Sequence, residues 1–93
     1  MSTHPNQLSI PDEPLRDAQA QELVRVWSAQ GHQFFVLDVS AEAEPAAWGI
    51  FAMDMMKHAA RAYEHLDGRP RAEVYKRILS GFLSEMQSPT EPL

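Results

Sequence analysis

The sequence predicts an α+β fold, a β-hairpin followed by two antiparallel α-helices, completed by homodimerisation. Three observations predict it. On either side of a lone glycine, "LVRVW" and "FFVLDV" carry the β-branched and aromatic residues of paired strands. Downstream, two long stretches repeat apolar residues every three or four positions, and each is preceded by a proline. The run Phe34-Phe35-Val36-Leu37 offers apolar side chains to both faces of its strand, more than so small a chain covers by itself.

The elements follow in order. Residues 1–14 and 88–93 are rich in Pro, Ser and Thr and are expected to be mostly flexible, with Leu8 and Ile10 as a short segment able to dock. That leaves a single domain at residues 15–87, about 73 residues, a size at which a partner subunit often helps a lone core. In its first part, Val24 and Val26 alternate with Leu23, Arg25 and Trp27. After an "AQGH" turn, Phe35, Leu37 and Val39 alternate with Phe34, Val36 and Asp38. A helix from Leu15 to about Gln30 competes with this hairpin, because Ala20, Leu23, Val24 and Trp27 also stand at i, i+3, i+4 and i+7, with Gly31 as its cap. The β-branched and aromatic content favours the strands.

Pro45 suits the first turn of the next helix, whose stripe is Trp48, Phe51, Ala52, Met55, Ala59, Ala62 and Leu66, widened by Met56, Ala60 and Tyr63. Gly68 is placed to end it in the left-handed conformation, and the short "DGR" connection makes the next helix its antiparallel neighbour. Pro70 opens that last helix, Tyr75, Ile78, Leu79, Phe82, Leu83 and Met86 form its stripe, and Pro89 lies just beyond its end.

Two helices can shield one face of the hairpin. A second copy of the chain is expected to cover the other face and the free edge, by joining two hairpins into a four-stranded sheet or by stacking them about a two-fold axis. The competing arrangement is a monomer in which Leu8 and Ile10 add a third strand and Leu15 folds over the open face. The expected interface residues are Trp27, Phe34, Val36, Ile50 and Met53. Aromatic anchors suit such contacts, while Ile50 and Met53 fall near the polar side of their helix and would be exposed in a monomer.

Composition narrows the function classes. With no cysteine, disulfides, Cys-ligated zinc and thiol catalysis are excluded. No apolar run reaches the ~20 residues of a bilayer span, and no basic segment leads into an apolar core as in a secretory signal. A cytoplasmic protein is expected, without membrane association. The net charge of −5 disfavours binding to a phosphate backbone, so no nucleic-acid partner is expected. The charge is uneven: Lys57, Arg61, Arg69, Arg71, Lys76 and Arg77 face only Glu64, Asp67 and Glu73 in residues 57–77, a basic patch on an acidic body. Such a patch attracts an acidic partner or phosphate, or is simply a solvated helix surface.

The "LVRVW" strand, the glycine-containing turn and "EPAAWGIFAMDMMKHAARAY" together resemble a family of short bacterial proteins classed as a domain of unknown function. The resemblance covers about residues 22–65 and rests on Arg25, Trp27, the run Pro45-Ala46-Ala47-Trp48-Gly49, and the segment from His58 to Ala62 and Tyr63. An Asp usually precedes the proline in that family, where this chain has Glu44, a departure that weakens the expected helix cap. The resemblance implies a hairpin followed by helices and a bacterial source. It implies no activity.

Candidate chemistry concentrates on one helical stripe, Asp54, His58, Arg61 and His65. Asp54 and His58 have the i, i+4 spacing of zinc-binding helices. Against a metal stand the cationic Arg61 between the histidines, the lack of a third strong ligand nearby, and His65 at ~10 Å along the axis. Ion pairs along a wet face, Asp54–Lys57, Asp54–His58 and Arg61–Glu64, explain the same pattern. Acid–base chemistry would need His32 or Asp38 brought alongside. No Gly-x-Ser-x-Gly elbow and no glycine-rich phosphate loop occurs, the glycines standing singly at 31, 49, 68 and 81. No catalytic residue, cofactor or metal is therefore assigned. The function is unknown, and the expected role is a small non-catalytic homodimeric protein–protein interaction or regulatory module. The alternative is a metal- or small-ligand-binding protein, or an enzyme, using Asp54, His58, Arg61 and His65.

Overall fold

The computed structural model of the chain describes residues 3–93. It divides into two compact units, residues 1–43 and residues 44–93. The first holds a short helix α1 (Asp12–Arg16), strands β1 (Val24–Ala29) and β2 (His32–Leu37), and a 3-10 turn at Val39–Ala41. The second holds two long helices, α2 (Ala46–Asp67) and α3 (Arg71–Gln87).

β1 and β2 form an antiparallel two-stranded sheet in which Val24 faces Leu37, Arg25 faces Val36, Val26 faces Phe35 and Trp27 faces Phe34. The hairpin loop is Gln30-Gly31, with φ of 53° and 78°. Positive φ at both central residues gives the type I′ geometry whose twist matches that of the flanking strands. Gly31 accepts this freely, whereas Gln30 carries the strain of a Cβ in the left-handed region. The helix considered for Leu15 to Gln30 does not form. Ahead of β1, Asp12–Arg16 is helical, an element for which periodicity gives no signal. Leu8 and Ile10 add no third strand, since the sheet has two strands among the described residues.

At the entry to α2, the Glu44 carboxylate accepts a hydrogen bond from Ala46 N–H at 3.2 Å. Glu44 thus performs the terminal bonding that the missing aspartate was expected to leave weak. Gly68 closes α2 at φ 78°, its N–H donating to the Glu64 carbonyl at 2.9 Å.

The helical core is narrow. Met56, Ala60 and Val74 are buried, at 7%, 2% and 6% exposure. α2 therefore packs on α3 along the line through Met56 and Ala60, the widened flank of the expected stripe, while Trp48, Phe51, Ala52 and Ala59 of that stripe are half-buried and its far side lies open. Met55 is 55% and Leu66 78% exposed. Residues one position apart differ by about 100° on a helix, and apolar residues at 55, 59, 62 and 66 are as regular as those at 53, 56 and 60. Periodicity finds both lines; the small side chain of Ala60 lets the neighbouring helix approach along one of them. In α3 the expected stripe is half-buried at Tyr75, Ile78 and Leu79, while Phe82, Leu83 and Met86 stay exposed.

The α2–α3 connection is held by polar side chains. Glu64 accepts from Arg71 N–H at 3.1 Å and from its guanidinium at 2.7 Å, so one carboxylate caps the start of α3 and pairs with its first residue. Asp67 pairs with Arg69 at 2.8 Å, and the Arg69 guanidinium stands 4.7 Å from the centre of the Tyr63 ring. The expected Arg61–Glu64 pair is replaced by Glu64–Arg71.

Candidate interaction surface

The register sorts the hairpin side chains into two faces, because residues opposite one another point the same way. One face carries Val24, Val26, Phe35 and Leu37. The other carries Arg25, Trp27, Phe34 and Val36. All four residues of the apolar run in β2 are open to solvent: Phe34 52%, Phe35 61%, Val36 61% and Leu37 48%. Sequence reasoning singled out Trp27, Phe34 and Val36, and the register brings these three together on one face. The expected interface leaves out Val24, Val26, Phe35 and Leu37, the more uniformly apolar face, although the same alternation contains it.

The two strands differ at their outer edges. Beside β1 runs the N-terminal segment, whose His4 ring centre lies 5.1 Å from that of Trp27. Leu8, Ile10, Pro14, Leu15, Val24 and Trp27 are among the residues that line an open groove of about 650 Å³. At its rim Arg25 pairs with Glu22 at 2.7 Å. Among the described residues of the hairpin unit, β2 has no such neighbour. The bond from Asp38 N–H to the Leu23 carbonyl extends the ladder by one pair. By the alternation of antiparallel bonding, even-numbered residues of β2 bond to β1 and the backbone groups of Gln33, Phe35 and Leu37 point outward. Asp38 itself accepts from Ser40 N–H at 3.2 Å and Ser40 Oγ at 2.6 Å, both through Oδ1.

In the helical unit, Ile50 is exposed and Met53 half-buried, one turn apart on α2. Asp54, His58, Arg61 and His65 form the expected stripe on the side of α2 away from Met56 and Ala60, and all four are exposed. Among the described residues no three His, Asp or Glu side chains converge to the spacing of a metal site. His32 and Asp38 belong to the hairpin unit, at opposite ends of β2. No helix is long and apolar enough to cross a membrane among the described residues.

Of the basic patch, Arg69 and Arg71 are engaged in the connection. Their carboxylate partners are held below their ordinary values. For Glu64 the causes are the Arg71 side-chain bond and then its backbone bond; for Asp67 they are the corresponding bonds from Arg69. The Glu64–Arg71 link spans seven residues and needs the chain to reverse at Gly68, so sequence spacing gave no sign of it.

Comparison with known proteins places the chain. The family described as "Domain of unknown function (DUF5076)" matches residues 7–90, and the chain belongs to it. No curated protein matches. Among solved structures, a chain described as a "putative pyruvate dehydrogenase" from the photosynthetic bacterium Rhodopseudomonas palustrus CGA009 is similar at 27% identity and a TM-score of 0.72. The match covers 99% of this chain and 94% of that one.

Proposed function

For this member of a family without an assigned activity, we propose a role as a small non-catalytic homodimeric protein–protein interaction or regulatory module, with the hairpin as the surface through which copies associate. The observation that carries the reading is the exposure of Phe34, Phe35, Val36 and Leu37 on both faces of one strand. A two-stranded ribbon is marginal in water, and three or more strands with a covered apolar face are the stable alternative. Burying Phe and Val side chains of this kind is worth roughly 1.5–3 kcal/mol each when complete. A second copy supplies cover to every molecule in equal number, which a scarcer partner does not.

The dehydrogenase name of the Rhodopseudomonas chain is not carried to this one. Its acid–base candidates Asp54, His58 and His65 stand on an exposed helix face, and the charged pair at the hairpin groove, Glu22 and Arg25, is spent on itself. Efficient proton transfer wants a group held in a cleft near its substrate. The test is the solution mass by light scattering or native mass spectrometry across a dilution series. Twice the chain mass, lost on replacing Phe34 and Val36 by serine, supports the reading. A monomer at tens of micromolar overturns it.

A further inference from the structure

We infer that two copies join through the outer edge of β2, antiparallel and about a two-fold axis at Phe35, to make one four-stranded sheet in the order β1-β2-β2-β1. This rests on the self-association just proposed and adds to it the edge, the partner strand and the register.

The choice of edge follows from the contrast between the strands. Natural edge strands are blunted by lysines, prolines, bulges or a covering segment. β1 has the Arg25–Glu22 pair and the N-terminal segment alongside. β2 reads His-Gln-Phe-Phe-Val-Leu, without lysine, arginine, carboxylate or proline, in unbroken register with β1. Its outward backbone groups, at Gln33, Phe35 and Leu37, have the spacing of a strand waiting for a neighbour.

The choice of a second copy, and of register, follows from charge. With Phe35 opposite Phe35 of the other copy, Gln33 faces Leu37, Phe34 faces Val36, and His32 faces Asp38. The outward groups of the two strands then exchange about six backbone hydrogen bonds. His32 and Asp38 meet in a non-hydrogen-bonded pair, where side chains approach most closely, once on each side of the axis. Asp38 makes both of its bonds to Ser40 through Oδ1, so Oδ2 can take the histidine. A slip by two residues in either direction shortens the pairing and sets His32 or Asp38 against an apolar side chain. No carboxylate faces another across the join, which matters for a chain of net charge −5. The joined sheet carries Val24, Val26, Phe35 and Leu37 of both copies on one continuous face.

The chain has no cysteine, so single-cysteine variants report distances directly. Phe35→Cys is expected to form a disulfide-linked dimer under mild oxidation, since opposed Cα atoms on paired strands lie about 5.5 Å apart. A mixture of Gln33→Cys and Leu37→Cys, which leaves Phe35 in place, is expected to link across variants. Gln33→Cys alone is not, its symmetry mates being about 13 Å apart. His32→Glu is expected to weaken the dimer about tenfold and His32→Lys by far less. A wild-type dimer without these links, or with Gln33→Cys linking to itself, overturns the edge and register and leaves self-association standing. A wild-type monomer overturns both.

Discussion

The two units of this chain solve the problem of burial differently. The helical unit places Met56, Ala60 and Val74 inside and pins its turn with Glu64–Arg71 and Asp67–Arg69. The hairpin unit buries no side chain among the described residues, yet it contains the apolar run Phe34-Phe35-Val36-Leu37. An antiparallel helix pair satisfies its backbone internally and needs only one contact line. A lone strand pair leaves two edges and two faces to be dealt with. The difference teaches that the helix pair covers its own contact line, whereas the hairpin leaves its apolar side chains open to solvent.

The contrast can be broken at its strongest point first. Met56→Ala removes the larger buried side chain of the helix contact, and a loss of about 2–4 kcal/mol is expected in denaturant unfolding. Met55→Ala, one residue away on the open line, should cost under about 0.5 kcal/mol. Equal losses at the two positions would mean that both lines of α2 are covered in solution. Next in size, Phe34→Asp should raise the dimer dissociation constant at least about tenfold with the helix content by circular dichroism unchanged. If helicity fell in parallel, the hairpin would be supporting the helices rather than presenting a surface.

A smaller and opposite effect is expected at the turn. Gln30→Asn puts the preferred residue at the first type I′ position and should stabilise the hairpin by about 0.5–1 kcal/mol. The measurement is hydrogen exchange at the β1–β2 amides, which should slow while exchange in α2 does not change.

The smallest effect is electrostatic. Glu64 is held below its ordinary value of 4.5 by its bonds from Arg71. A carboxyl whose folded value is depressed contributes its stability above its unfolded value and loses it as the pH falls through the folded one. The thermal midpoint of Glu64→Gln should therefore lie slightly below wild type near pH 7, and the gap should close as the pH drops below about 4.5. Because the carboxylate is exposed, salt should narrow the gap as well. A gap independent of pH would assign the effect to the backbone cap rather than to the charge.

Much of the architecture was legible beforehand because it is local. Gly31 and Gly68 mark positions needing positive φ, Pro45 and Pro70 mark helix starts, and period-two alternation marks the strands, each acting within a few residues of itself. The surface was legible in part for the same reason. Trp27, Phe34 and Val36 share a face once the turn sets the register. Asp54, His58, Arg61 and His65 share a stripe because the helix period puts them there.

What the sequence by itself determined, then, is the order of elements, their caps and turns, and the excess of apolar groups on β2. Only the tertiary structure decided which line of α2 becomes core, that Glu64 reaches Arg71 instead of Arg61, and that the N-terminal segment comes close to Trp27 of β1. The physical reason is range. Propensity, capping and periodicity act within a turn or a strand, whereas burial and ion pairing depend on which distant segment arrives. A regular apolar pattern cannot name its neighbour.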